Sequence, residues 1–477
     1  MYCLARTLNI KSAATPAQWR SRSIYRVLTD RFALTDGPTS ASCNTENRLI
    51  KKLDYIQGVG FTAVWISPIV KNIPRPQPMA KPITATGAQD INSLNEHFGS
   101  AADLKALCNA LHACGMYLMV DVAPNHFAYA GSGTAVGYRK FVPFNSQSYF
   151  DSFCWVANYN DQNMVEERWL GDNSVSLPDV DTNQPFVQST YNTWIQNLVL
   201  TYRIDGLRID TAKHVEESFW DSSNNAAGIY AVGEVYSGDK AYTCGYQSAS
   251  MVFSTSQCEY HFYEQVDTRP NRLQLLSSTE SLPIHEWEIL ELVSMISNVK
   301  DNCLDSTLLG TFSENHDIPR FASYTVYAGQ EQHYAGGNNP YNREATWLSG
   351  CSTTSTLYRH IASLNQIRNQ AIYKSGDSYL TYKNWVIYPS GNALATRKSY
   401  DNAAIIIVLN NMGSNGCANT FTLANTRYSQ GATIYDVLSC TSVTAGSGGT
   451  VHVSTTAGLP KVFYPAAMLS GSGICGL

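Results

Sequence analysis

The feature that most constrains this chain is an alternation. Short apolar runs that read as buried strands alternate with segments of helical spacing, and polar loops follow the strands. Residues 23–28 (SIYRVL) form a strand-like run leading into TDRF. Residues 47–59 predict a helix, with Leu49, Ile50, Leu53, Ile56 and Val59 along one side. That helix feeds a strand over residues 63–66, ended by Pro68. A second helix is expected over residues 101–114, with Leu104, Leu107, Cys108 and Leu111 at helical spacing and Gly115 as its stop. The strand MYLMVDV and the loop APNH follow. After a lapse, a helix over residues 184–202 restores the pattern, then the strands IDGLRID and GIYAVGEV. Helix and buried strand in alternation are the mark of a parallel α/β sheet.

The lapse, residues 127 to about 181, is polar, aromatic and Gly-rich, and too long for a plain loop. It reads as a small inserted domain. After Asn384 the texture becomes alternating β segments punctuated by Gly and Ser, which predicts an antiparallel C-terminal domain. A length of 477 residues suits two to four domains, or one large barrel with additions.

Composition excludes some functions. The net charge of −5 comes without a basic stripe of the kind that tracks nucleic acid. No apolar stretch approaches the roughly 20 residues of a membrane span. Residues 1–14 lack the apolar core of a signal peptide, and residues 13–19 read as the start of a mature domain. Twelve cysteines without a CxxC pair are compatible with secretion and argue against a thiolate zinc site.

Three separated stretches each bring one acid with residues that would tune it: DGLRIDTAKH, VGEV and FSENHD. In a barrel of parallel strands, loops at the strand C-terminal ends meet at one mouth. Asp210, Glu234 and Asp317 gathered there would suit cleavage of a glycosidic bond. Arg208 and Asp210 share one face of a strand, and a positive charge beside Asp210 lowers its pKa, keeping it ionised as a nucleophile requires. A structural Arg–Asp ion pair has the same spacing. Glu234 is flanked by apolar residues, where desolvation would let it hold a proton as a general acid. A solvent-facing Glu at a strand end would read alike. Asn125, Glu166, Asp179 and the carbonyl of His214 offer hard oxygen ligands suited to Ca²⁺, with ordinary loop hydrogen bonding as the alternative.

Taken together, these motifs resemble the α-amylase family of glycoside hydrolases, nearest to the fungal secreted enzymes of the Taka type. The likeness runs from about Thr15 to Cys475. It is carried by SIYRVLTDRFALTDG, KLDYIQGVGFTAVWISP, MYLMVDVAPNH, WLGDNSVSLPDVDT, IDGLRIDTAKHV, STLLGTFSENHDIPRFASYT, YAGQEQHYAGGNNPYNREATWLSG and LPKVFYP. The resemblance implies a (β/α)8 TIM barrel over residues 15–126 and 182–380, an inserted calcium-binding domain over 127–181, and a C-terminal β-sandwich over 381–477. It implies retaining endo-hydrolysis of α-1,4-glucosidic bonds in starch and related glucans by a secreted monomer. Asp210 matches the nucleophile, Glu234 the acid/base and Asp317 the transition-state stabiliser. His126, Arg208, Lys213, His214, His316 and Arg343 match the substrate-binding shell. Asn125, Glu166, Asp179 and His214 match the calcium ligands. Cys244 with Cys303, and Cys440 with Cys475, match family disulfides.

The chain also departs from the family pattern. Thr84, Thr86 and Gly87 stand where His, Tyr and Trp would pack on the sugar. About ten residues are missing between Asn44 and Leu49. Residues 251–287 do not match the segment that supplies the sixth strand. Thr325 runs into Val326 without the helix and most of the eighth strand, which leaves the completeness of the barrel open. Cys43 and Cys154 lose their partners, with Arg168 where the mate of Cys154 would be. These losses keep an impaired or non-catalytic glucan-binding paralogue, and a related transglycosylase, as alternatives.

Overall fold

The computed structural model describes residues 14–32, 49–73, 87–247, 256–261, 286–312, 316–317, 328–337, 341–413, 416–456 and 458–477. Seven parallel strands run in chain order across one sheet: β1 (Ile24–Arg26), β2 (Ala63–Ile66), β3 (Tyr117–Val122), β4 (Gly206–Ile209), β5 (Tyr230–Glu234), β6 (Ser256–His261) and β7 (Gly310–Phe312). Strands β2, β3 and β4 are buried at every residue, as parallel strands covered on both faces must be. This is the strand order of a (β/α)8 barrel. The sixth place is filled by Ser256–His261, from the stretch that departs from the family pattern. The junction at Thr325–Val326, like Thr84, Thr86 and Cys43, lies outside the described residues.

Local chemistry sets the helices between these strands. Helix α1 (Pro16–Arg20) starts at Thr15, whose hydroxyl and Gln18 form a reciprocal capping box, with Pro16 in the first turn. Helix α2 (Leu53–Gly58) is shorter than the spacing predicts, because Lys52 leaves helical geometry (φ −120°, ψ 14°) and acts as its cap. Helix α3 (Ala101–Ala113) begins at a second capping box, Ser100 with Asp103, and stops before Gly115, which adopts φ +70°. Helix α4 (Gln162–Glu166) lies in the inserted segment, and α5 (Pro185–Tyr202) and α6 (Glu217–Ala227) flank β4.

The inserted segment has its own small antiparallel sheet, in the order Tyr129–Ala130, Val175–Leu177, Leu170–Gly171. Buried Phe127, Phe141, Phe144 and Phe150 give it an aromatic core. The second compact unit holds a six-stranded antiparallel sheet, in the order β8 (Trp385–Pro389), β9 (Ala393–Lys398), β10 (Ile405–Asn410), β15 (Lys461–Pro465), β12 (Thr433–Asp436), β13 (Thr441–Thr444). A two-stranded sheet of β11 (Asn419–Leu423) and β14 (Val451–Thr455) packs on it through a shared core including Ile406, Val408, Phe421, Leu423, Val451 and Phe463. Cys244–Cys303 and Cys440–Cys475 are disulfide-bonded, the pairings that the resemblance implies, and Cys154 is a free, exposed thiol.

One end of the barrel is sealed by Trp19. Its indole stacks on Tyr230 and meets Tyr117 edge-on, each 5.3 Å away, and its N–H donates to the Asp205 carbonyl at 2.8 Å. Tyr117, Gly206 and Tyr230 start their strands, so the plug sits at the strand N-terminal ends and the C-terminal mouth stays open for chemistry. A Cβ on Gly206 would lie 2.5 Å from the Trp19 ring, which its aromatic neighbours hold in place. Gly206→Ala is therefore expected to cost about 1–3 kcal/mol by overpacking. A lower urea midpoint of the purified protein checks this.

Candidate active site

The three sequence-identified acids sit at the C-terminal ends of their strands. Glu234 is the last residue of β5, Asp210 follows β4, and Asp317 lies beyond β7. The element that joins the first two is Arg208, buried in β4 with a side chain only 1% exposed. Its Nη1 contacts Asp210 Oδ1 at 2.5 Å and Asp121 Oδ1 at 3.1 Å, and its Nη2 contacts Glu234 Oε2 at 2.9 Å. One guanidinium thus holds three carboxylates from β3, the end of β4 and β5. Sheet register produces part of this, since Asp121 and Arg208 are direct partners across β3 and β4.

Asp317 is held separately. Arg343 Nη2 contacts its Oδ1 at 2.9 Å, and His316 Nε2 lies 3.3 Å from its Oδ2. Arg343 also donates through Nε to the His316 carbonyl at 2.7 Å, while its own carbonyl accepts from Arg31. His316 is buried and meets the Trp65 ring edge-on. The acids grade from deep to open: side-chain exposure is 8% for Asp210, 13% for Glu234 and 45% for Asp317.

The electrostatics differ in one respect from the expectation for Asp210. Its pKa is raised, not lowered: burial dominates, the opposing pull of Arg208 comes next, and Glu234, Asp121 and Asp317 push the same way as burial. Desolvation and the other acids together outweigh the one neighbouring cation. Asp317 is likewise raised, by desolvation within the cleft walls and then by Glu234, against Arg343, Arg208 and Arg26. Among the described residues, four acids (Asp121, Asp210, Glu234, Asp317) face three arginines (Arg26, Arg208, Arg343), an excess of one negative charge. Such a cluster retains a proton above the ordinary carboxylate range.

The 2.5 Å contact with Arg208 favours the ionised form of Asp210. Glu234 receives Arg208 and the Thr211 N–H (3.2 Å) on the same oxygen, Oε2, so a proton on Oε1 is compatible with both contacts. Thr211 reaches Glu234 from a left-handed conformation, φ 52°, which a β-branched residue adopts only under local constraint.

Lys213 lies beside this centre. Its ammonium donates to the Tyr236 carbonyl at 2.5 Å and sits 5.3 Å and 5.5 Å from the rings of Tyr159 and Tyr236, both exposed. His214 is buried, and its Nδ1 lies 2.9 Å from the Val165 carbonyl. Burial, then Lys213, pushes its pKa down to about 4, so it is neutral near pH 7. His126 is buried next to Asn125, pairing its backbone with Asp179. Sequence reasoning missed Asp121, Arg26 and Trp65. The signal was present: a charge inside an otherwise apolar strand, as in MYLMVDV and SIYRVL, must be paired.

The expected calcium ligands fall into two neighbouring pairs. Asn125 accepts from the Val180 N–H through its carbonyl at 2.8 Å, beside the bridge between His126 and Asp179. Glu166 is tied to the residue before His214 through Gln162, whose Nε2 donates to Glu166 Oε1 at 2.5 Å and to the Lys213 carbonyl at 3.3 Å. Asp179 is buried, and burial with Asp151, Glu216 and Asp181 pushes its pKa well up. A buried acid among acids, with amide and carbonyl oxygens nearby, fits a hard cation. Among the described residues, no group of three or more His, Cys, Asp or Glu side chains has metal-binding geometry. The expected set contains only two carboxylates.

The profile of the alpha-amylase catalytic domain matches residues 26–359, and that of alpha-amylase domain C matches residues 386–477. Alpha-amylase 2 of Schwanniomyces occidentalis is 45% identical over 97% of this chain and 94% of its own length. Alpha-amylase 1 of Lipomyces kononenkoae is 48% identical over 97% of this chain and 76% of its own. The structure of an alpha-amylase from Malbranchea cinnamomea superposes with a TM-score of 0.86 at 45% identity, covering 97% of this chain and all of that one. Enzymes of this family generally bind calcium and act on α-glucans. With an acid at each expected strand end and both domains matched, the chain belongs to the alpha-amylase family of glycoside hydrolases.

Proposed function

We propose that this enzyme hydrolyses internal α-1,4-glucosidic bonds of starch-like glucans by retaining double displacement. Asp210 is the nucleophile, Glu234 the acid/base and Asp317 the stabiliser of the oxocarbenium-like transition state. The observation that carries this reading is the single guanidinium shared by Asp210 and Glu234. It is compatible with the roughly 5 Å separation at which one carboxyl attacks while the other protonates the leaving oxygen.

In the first step Glu234 gives its proton to the glycosidic oxygen as Asp210 attacks the anomeric carbon. In the second, Glu234 takes a proton from water, which displaces Asp210 and releases the sugar. Asp317, the most open of the three acids, faces the developing positive charge while Arg343 and His316 fix it. Arg208 orients the nucleophile and limits its basicity. Lys213, with Tyr159 and Tyr236, offers a cation and two exposed rings for sugar hydroxyls and faces, and His126, His214 and His316 complete the binding shell.

Asn125, Glu166, Asp179 and the His214 carbonyl would hold Ca²⁺, tying the inserted domain to the loop after β4. When bound, the ion neutralises Asp179 and stiffens that wall of the site. We assign the barrel to residues 15–126 and 182–380, the insert to 127–181 and the sandwich to 381–477. The protein is secreted on this reading, which two disulfides among the described residues support.

Asp210→Asn and Glu234→Gln should each lower kcat on soluble starch by about 10⁴-fold, the scale on which removal of a catalytic group acts. NMR of the first product released should show the α-anomer; the β-anomer, or near-wild-type rates in both variants, would refute the assignment. For the metal, Ca²⁺ added after chelation should raise the melting temperature of the wild type, and Asp179→Asn should abolish most of that rise. An equal rise in the variant would place the ion elsewhere.

A further inference from the structure

Arg26 is a buried cation that the reaction as described does not use. It ends β1 and is 5% exposed. Tyr25, its neighbour, packs against Phe32 and Phe61, so strand alternation turns Arg26 to the opposite, barrel-interior face. There its Nη2 lies 4.0 Å from Asp121 Oδ2, and its guanidinium lies over the Trp65 ring at 4.6 Å. The Trp65 N–H donates to the same Asp121 oxygen at 3.2 Å, and Arg208 lies over the same indole at 5.1 Å. The other oxygen of Asp121 takes Arg208 Nη1, the atom that also holds Asp210. Asp121 and Asp210 therefore share one terminal nitrogen of Arg208, which has an N–H for each.

We propose that Arg26 is a positioning residue for hydrolysis: by offsetting the charge of Asp121 beside Arg208 it lets Asp210 stay ionised, and so sets the acidic limit of activity. The proposal rests on the assignment of Asp210 as nucleophile. Among the described residues, the charged and titratable groups around Arg26 and its partner acid are Asp121 on β3, Arg208 on β4, Asp210 and Glu234 after β4 and on β5, and His316, Asp317 and Arg343 in the loops beyond β7. With Arg26 the cluster carries one excess negative charge; without it, two. Arg26 also counters the upward shifts of Asp121 and Asp317. Loss of a cation favours protonation of the acids, so the ionised nucleophile would be lost at higher pH than in the wild type.

The test is the pH profile of kcat/KM on a short maltooligosaccharide, which reports the ionisations of free enzyme. Wild type, Arg26→Gln, Arg26→Lys, the double variant Arg26→Gln/Asp121→Asn and Asp210→Asn are compared. In Arg26→Gln the acidic limb moves up by about one pH unit, a roughly tenfold loss on that limb, with a smaller change on the plateau. Arg26→Lys restores most of the shift. The double variant leaves no lone buried charge and keeps the one-charge excess, so its limb stays within about 0.3 units of wild type. This arm serves even where Arg26→Gln does not fold. An unmoved limb in Arg26→Gln, a loss uniform across pH, or a unit-sized displacement in the double variant overturns the proposal. Activity persisting in Asp210→Asn would instead remove the assignment beneath it, whatever the Arg26 variants show.

Discussion

The site depends on one buried guanidinium. Arg208 is almost wholly enclosed, yet it meets carboxylates delivered by three different stretches of chain. A buried cation without such partners would be prohibitively costly, and so would the acids without it. Each therefore makes the others tolerable. Strands β3, β4 and β5 must lie in register for this arrangement to exist, and the pairing of Asp121 with Arg208 is itself a register pair. A one-residue slip would turn both side chains away from the interior.

This mutual dependence shapes the chemistry. Among the described residues four acids surround three arginines, and burial raises the pKa values of Asp121, Asp210 and Asp317. Retaining hydrolysis needs one carboxylate to attack and one carboxylic acid to protonate. On the proposed reading the two roles fall to differently held acids. Asp210 has the shortest contact with Arg208, whereas Glu234 shares that cation and takes a backbone N–H from strained Thr211. The end of the barrel away from the acids is closed by Trp19 between Tyr117 and Tyr230, so stability and reactivity occupy opposite ends of the strands.

Much of this was legible in the sequence, for identifiable reasons. The strand over Ala63–Ile66 and the helix from Ala101 were readable because apolar period and caps agreed. The offset of Arg208 and Asp210 gave their shared face. The net effect on the pKa of Asp210 was not readable, because it depends on burial and on acids brought in from distant strands. Asp121, Arg26 and Trp65 were passed over because a charge or an indole within an apolar strand reads as packing until its partners are seen. The late start of helix α2 was missed because apolar spacing continues through Lys52 while helical backbone geometry does not. The departures at Thr84, Thr86 and Thr325–Val326 lie outside the described residues, so the acids and arginines carry the functional argument.

The central claim is that Asp210, held by Arg208 beside a protonated Glu234, forms a bond to the sugar. A fluorinated maltosyl fluoride whose covalent intermediate turns over slowly tests this most directly, by intact mass and peptide mapping after acid quench. The account predicts one added glycosyl mass, on the peptide that contains Asp210. No adduct under turnover, or a label on the peptide carrying Glu234 or Asp317, would contradict it.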